Sequence, residues 1–138
     1  MWHTAKIYLL LLPVLFILDF LWLGVLMSGF YKKELGPFLR LSGDALAPIP
    51  WAAIVVYLAI PLGVVLFALP RVSRENLLTS SLFWGFMYGV ILYAVYDMTN
   101  YSLLKGWPLK VSLIDICWGG VLNASATYAA ALLDRWMK

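Results

Sequence analysis

The sequence predicts an all-α membrane protein: one four-helix integral membrane domain over residues 1–138, with antiparallel neighbours and a tight hairpin between the third and fourth helices. Three observations predict it. Hydrophobic residues make up 64% of the chain. Charged residues make up only 12%, about half the share of a soluble domain. Apolar stretches cover residues 7–30, 48–70, 77–104 and 109–133, each at or beyond the roughly 20 residues that cross a bilayer core.

The first span, Ile7 to Phe30, contains 16 Leu, Ile, Val or Phe residues, whose combined insertion energy of roughly 5 to 10 kcal/mol exceeds the cost of its one acid, Asp19. Pro13 deprives the carbonyl of Leu9 of its usual donor and predicts a bend. The stretch has a cation, Lys6, before it, as a signal peptide does, but its apolar run is too long, holds an acid and lacks a small-x-small cleavage site. It reads as a retained span. Residues 31–47 mix Lys32, Lys33, Glu34, Arg40 and Asp44 with Leu35, Phe38, Leu39 and Leu41. They form either a short interfacial amphipathic piece broken at Gly36-Pro37 or a charged loop.

Pro48-Ile49-Pro50-Trp51 opens the second span with proline where a helix tolerates it and Trp at interfacial level. Pro61 predicts a kink, and the span, whose one ionisable side chain is Tyr57, reads as a packing element. Pro70 to Asn76 is a compact turn into the third span. There Ser81, Gly85, Gly89, Tyr93, Asp97 and Tyr101 recur at every fourth position, a stripe that is small at one end and polar at the other. Gly85 and Gly89 form a small-xxx-small motif that lets another helix approach closely. Lys105-Gly106-Trp107-Pro108 then supplies a cation and Gly to end one helix and Pro to begin the next. The fourth span carries Asp115, Cys117, Trp118, Gly119, Gly120 and Asn123 among many alanines.

Several function classes drop out. The Lys and Arg residues behind the net charge of +3 are scattered over loops and termini, which argues against nucleic acid and for interfacial anchoring. The single cysteine, Cys117, cannot form an intrachain disulfide. No metal-ligand set of His residues, serine nucleophile motif or phosphate-cradling glycine loop is present.

What needs explaining is acid where hydrocarbon is expected. Asp19, Asp97 and Asp115 fall inside the spans, and no Lys or Arg falls in the interior of any span. An ionisable residue at such depth costs about 2.5 to 3.5 kcal/mol on insertion scales and by default suggests a functional site. Four spans place both termini on one side, so Asp97 and Asp115 lie roughly 10 Å from the midplane on the hairpin side, with Asp19 nearer the middle. The pattern Asp-x-x-Trp-x-Gly occurs at Asp19, Trp22, Gly24 and again at Asp115, Trp118, Gly120. On antiparallel helices this predicts reciprocal hydrogen bonds, each indole N–H to the opposing carboxyl. Burial and mutual repulsion predict that at least one of the three acids is protonated at neutral pH.

The candidate ligand-binding or proton-relay residues are Asp19, Trp22, Tyr93, Tyr96, Asp97, Asn100, Asp115, Trp118 and Asn123. The aromatics suit a cation box or ordinary core packing. No metal site is assigned, although Asp97, Asn100 and Asp115 could supply oxygen ligands, and no cofactor is named by any motif.

The order Asp19-x-x-Trp22-Leu23-Gly24, Phe30-Tyr31, Leu35-Gly36, Trp84-Gly85, Gly89, Tyr93-x-x-Tyr96-Asp97-x-Thr99-Asn100, Trp107-Pro108 and Asp115-x-x-Trp118-Gly119 resembles a bacterial family of small predicted membrane proteins classed as a domain of unknown function. The resemblance covers nearly the whole chain. It implies a four-helix inner-membrane protein and brings no assigned activity, so it transfers no catalytic roles.

Three functions are compatible with these residues. One is binding or transport of a small protonatable or cationic ligand, or relay of protons, for which so few spans suggest a homodimer. Another is an accessory subunit whose acids pair with a basic residue of a membrane-protein partner. The third is an enzyme acting on a membrane lipid or isoprenoid through an Asp acid or base. Positive charges tie across the membrane, with Lys6, Arg71, Arg74, Arg135 and Lys138 on the termini side and Lys32, Lys33, Arg40, Lys105 and Lys110 opposite. The short Arg-bearing middle turn favours cytoplasmic termini.

Overall fold

The computed structural model describes every residue from Met1 to Lys138. Four helices are long and apolar enough to cross a membrane: Trp2–Leu26, Pro50–Arg71, Leu77–Leu103 and Leu109–Trp136. The protein is an integral membrane protein built as an all-α four-helix bundle.

Helix α1 (Trp2–Phe20) runs on through a π-helical turn at Leu21–Leu26, so the first span starts and stops earlier than residues 7–30. Met27 leaves helical geometry at φ −117°, ψ 8°, and residues 28–30 belong instead to a separate short helix, α2 (Ser28–Leu35). That helix buries Tyr31 and Leu35, four apart, against Trp107 and Val111. Of the two readings open for residues 31–47, the amphipathic piece matches this helix, which begins earlier, at Ser28, and ends in a 3-10 turn at Gly36–Phe38. Two-residue strands β1 (Leu41–Ser42) and β2 (Ala45–Leu46) follow as a hairpin, with Gly43 at φ +60° in its turn.

Helix α3 (Pro50–Gly63) contains Pro61 and loosens into a π-helical turn at Val64–Ala68. At Gly63 a Cβ would fall 1.7 Å from the Tyr88 hydroxyl, so a larger residue there would have to displace that side chain. Helices α4 (Leu77–Leu103) and α5 (Leu109–Trp136) form the expected tight hairpin, turned at Gly106 with φ +85°, a backbone region that favours glycine. Its buried end is tied by Trp107 Nε1 donating to Ser112 Oγ at 3.0 Å.

Two stripes of four-residue period organise the core. On α1 it is Ile7, Leu11, Leu15 and Asp19, all buried; on α4 it is Ser81, Gly85, Gly89 and Asp97. The α1 stripe packs with Ile60, Val64 and Val65 of the second span and Leu122, Ala126 and Ala130 of α5. The α4 stripe meets α5 at backbone distance, as the small residues foretell: a Cβ on Gly89 would lie 1.9 Å from the Gly119 carbonyl oxygen. In lipid such close approach, rather than hydrophobic drive, holds helices together. His3 Nε2 and Asp134 Oδ1 meet at 2.8 Å, which brings the two termini together and fixes α1 antiparallel to α5.

Gly89→Ala should therefore force α4 from α5 and cost about 1 to 3 kcal/mol, read as a lower melting temperature by circular dichroism in detergent. Gly29→Ala, where no atom lies within 4 Å of the new methyl, should leave melting unchanged or slightly raised.

Candidate functional site

Each acid is placed by the helix that carries it. Asp19 is the fourth member of the α1 stripe, so the periodicity that buries Ile7, Leu11 and Leu15 buries its carboxyl as well, leaving it 7% exposed. Asp97 stands in the same relation to Gly85 and Gly89 on α4 and is 0% exposed. Asp115, half-buried, sits one turn beyond Ser112 on α5.

Asp19 is well supplied with donors. Tyr57 Oη donates to Oδ2 at 2.8 Å and Trp118 Nε1 to Oδ1 at 3.1 Å. The second contact is one half of the expected reciprocal pair. The other half is corrected: Trp22 Nε1 donates at 3.1 Å to the Tyr31 hydroxyl, which in turn donates to Asp115 Oδ1. The reason is local geometry. Trp22 lies in the π-helical turn and stacks on Trp118 with ring centroids 4.3 Å apart and planes 4° from parallel, so the edge that carries its N–H meets Tyr31 rather than Asp115. Such π-turns inside helices are frequent at functional sites.

The acids form a row. Asp115 is within electrostatic reach of both Asp19 and Asp97. Asp97 differs from the other two in that neither carboxyl oxygen has a hydrogen-bond partner, though both are buried. Its backbone carbonyl accepts from Ser112 Oγ at 3.3 Å, which ties its helix to the hairpin end. Tyr93 packs against Gly119, where a Cβ would lie 2.2 Å from its ring, and is within electrostatic reach of Asp19 and Asp115.

Not every candidate reaches this cluster. Tyr96 precedes Asp97 by one residue, about 100° around the helix, and is 59% exposed, at the rim of the cluster though within electrostatic reach of Asp97 and Asp115. Asn100 is half-buried, one turn beyond Asp97. Asn123 is buried elsewhere, in the α4–α5 seam, where Nδ2 donates to the Gly119 carbonyl at 2.8 Å and Oδ1 has no partner. Cys117 is exposed, turned away from the acids. No group of three His, Cys, Asp or Glu is arranged to hold a metal ion.

Two participants were missed by sequence reasoning. Tyr57 belongs to a span whose composition suggests packing alone, yet its being the one ionisable side chain there is the available signal. Tyr31 lay in a loop of open conformation, and only the fold of α2 over the hairpin end brings it to Asp115. Burial, and after it the hydrogen bond to Asp115, push the Tyr31 phenol above its ordinary value of 10.0. A phenol held neutral in the fold contributes its full stability below pH 10, and the contribution is lost as pH rises above that, because the unfolded chain ionises first.

Tyr31→Phe leaves the Trp22 N–H and the Asp115 carboxyl without their shared partner, a loss of about 1 to 3 kcal/mol. Melting in detergent should fall near neutral pH, and the gap to the parent protein should narrow above about pH 10. A gap independent of pH would show that the site does not hold this phenol neutral.

A family model described as a predicted membrane protein, DUF2177, matches residues 4–132. No curated protein and no solved structure matches the chain. With nearly its whole length covered by that model, the chain belongs to the predicted membrane protein family DUF2177.

Proposed function

We propose that the protein binds a small cationic or protonatable ligand within the membrane, between Asp115 and Asp97, and exchanges a proton as it does so. The observation that carries this reading is the uneven supply of donors along the row of acids. Asp19 has two, Asp115 has one and Asp97 has none. An uncompensated carboxylate in a buried setting costs several kcal/mol. The donors thus satisfy Asp19, leave Asp115 open to a further partner, and leave Asp97 with nothing but a proton or a ligand to offset a charge.

A cation reaching Asp115 from its half-buried side meets a charge no Lys or Arg of the spans can satisfy. It pairs with Asp115 and with the carboxylate that Asp97 becomes on releasing its proton to water, so charge balances at each step. The faces of Trp22, Trp118 and Tyr93 add cation–π attraction, strongest where water is excluded. Tyr31 keeps the Asp115 carboxylate oriented. We place the protein in a bacterial inner membrane with cytoplasmic termini, which opens the site to the opposite face.

The test uses the stacked indoles as reporters. Purified protein in weakly buffered detergent is titrated with methylammonium, tetramethylammonium, Na⁺ and K⁺ while tryptophan fluorescence and proton release are followed. At least one probe should give a saturable change with about one proton released per site. Asp97→Asn should bind without releasing a proton, and Asp115→Asn should weaken binding at least about tenfold. Fluorescence flat to all four, with no proton released, would overturn the reading.

A further inference from the structure

A second feature lies outside the acid row. Between α1, α2, the β1–β2 hairpin and α3 runs a cleft of about 1160 Å³. Its apolar lining comes from Phe16, Phe20 and Leu23 of the first span and from Ala53 and Ile54 of the second. Its mouth carries Lys32 and Arg40, with Asp44 beside them and the hydroxyls of Ser28 and Ser42. Neither cation is in an ion pair, since both ion pairs of the chain use Asp134 at the termini.

The dimensions and charges select an occupant. From Leu26, where the first span ends, to Phe16 is ten residues, or roughly 15 Å of helix, half of a hydrocarbon core of about 30 Å. The apolar wall therefore matches one leaflet in depth and opens at headgroup level. Two cations and one carboxylate leave the mouth at +1, the complement of a phosphodiester carrying a single negative charge. Ser28 and Ser42 can donate to phosphate oxygens or to a headgroup hydroxyl. A soluble anion would leave the wall of Phe16, Phe20 and Ile54 uncovered. A zwitterionic lipid would set its own ammonium beside Lys32 and Arg40.

We propose that this cleft is a binding site for one anionic phospholipid of the leaflet on the hairpin side, its phosphate held by Lys32 and Arg40 and one acyl chain laid along Phe16, Phe20 and Ile54. The chain runs along a lining that includes Tyr57, which donates to Asp19. The lipid thus touches the residue that anchors the acid row, without depending on what that row binds.

Native mass spectrometry of the full chain, delipidated in detergent and titrated with phosphatidylglycerol or phosphatidylcholine, tests this directly. Phosphatidylglycerol should saturate at one per chain, and phosphatidylcholine should bind more weakly without saturating. Lys32→Gln with Arg40→Gln should weaken phosphatidylglycerol binding about thirtyfold, as two surface cations imply, and remove the preference between the lipids. Ala53→Trp should fill the cleft and abolish saturable binding while leaving both cations in place. Helical circular dichroism of each variant confirms that it folds. Equal binding of the two lipids to the parent, unchanged phosphatidylglycerol affinity in either folded variant, or competition by inorganic phosphate alone would overturn the assignment. The ammonium titrations and this assay read different residues, so either can fail while the other stands.

Discussion

The bundle depends on how buried carboxyls find donors where water is scarce. Asp19 is placed on the core stripe of α1 by the same periodicity that places its leucines, and a bare carboxylate there would undo much of what packing provides. The Tyr57 hydroxyl and the Trp118 N–H answer that need. They also commit the second span and α5 to fixed rotations about α1. Three helices are therefore registered by one side chain, a specificity that hydrocarbon contacts alone supply weakly in lipid.

From that point the rest follows outward. Trp118, held by Asp19, offers its face to Trp22, and the π-helical turn around Trp22 directs the N–H of that ring to Tyr31. Tyr31 closes the chain on Asp115 and draws α2 over the end of the α4–α5 hairpin. On the far side of the same hairpin, the glycine seam brings α4 and α5 to backbone contact. Asp97, further along α4, is buried with neither carboxyl oxygen partnered. Large aromatics stack between the first span and α5, whereas glycines bring α4 onto α5.

The anionic-lipid cleft and the acid row meet only at Tyr57. Tyr57 lines the cleft, and its hydroxyl donates to the Asp19 carboxyl. This division is typical of tyrosine, which offers an apolar body with a polar tip, and it makes α3 more than the packing element its composition suggests.

Composition and periodicity alone determined the four spans, the tight hairpin and the small-residue seam, because hydrophobic length and glycine spacing act locally and need no knowledge of neighbours. They also singled out the acids, since charge in hydrocarbon is costly wherever the helix turns. The Trp118–Asp19 contact was legible because two identical spacings on antiparallel helices must come level. The Trp22 partner was not, because a π-turn shifts register in a way no residue count reveals. Tyr31 was invisible as a donor for a related reason, and Tyr57 showed only as the one ionisable side chain of its span. A phenol becomes functional through what lies opposite it, and that depends on helix rotation and on the path of a loop, both of which are set only when the whole bundle closes.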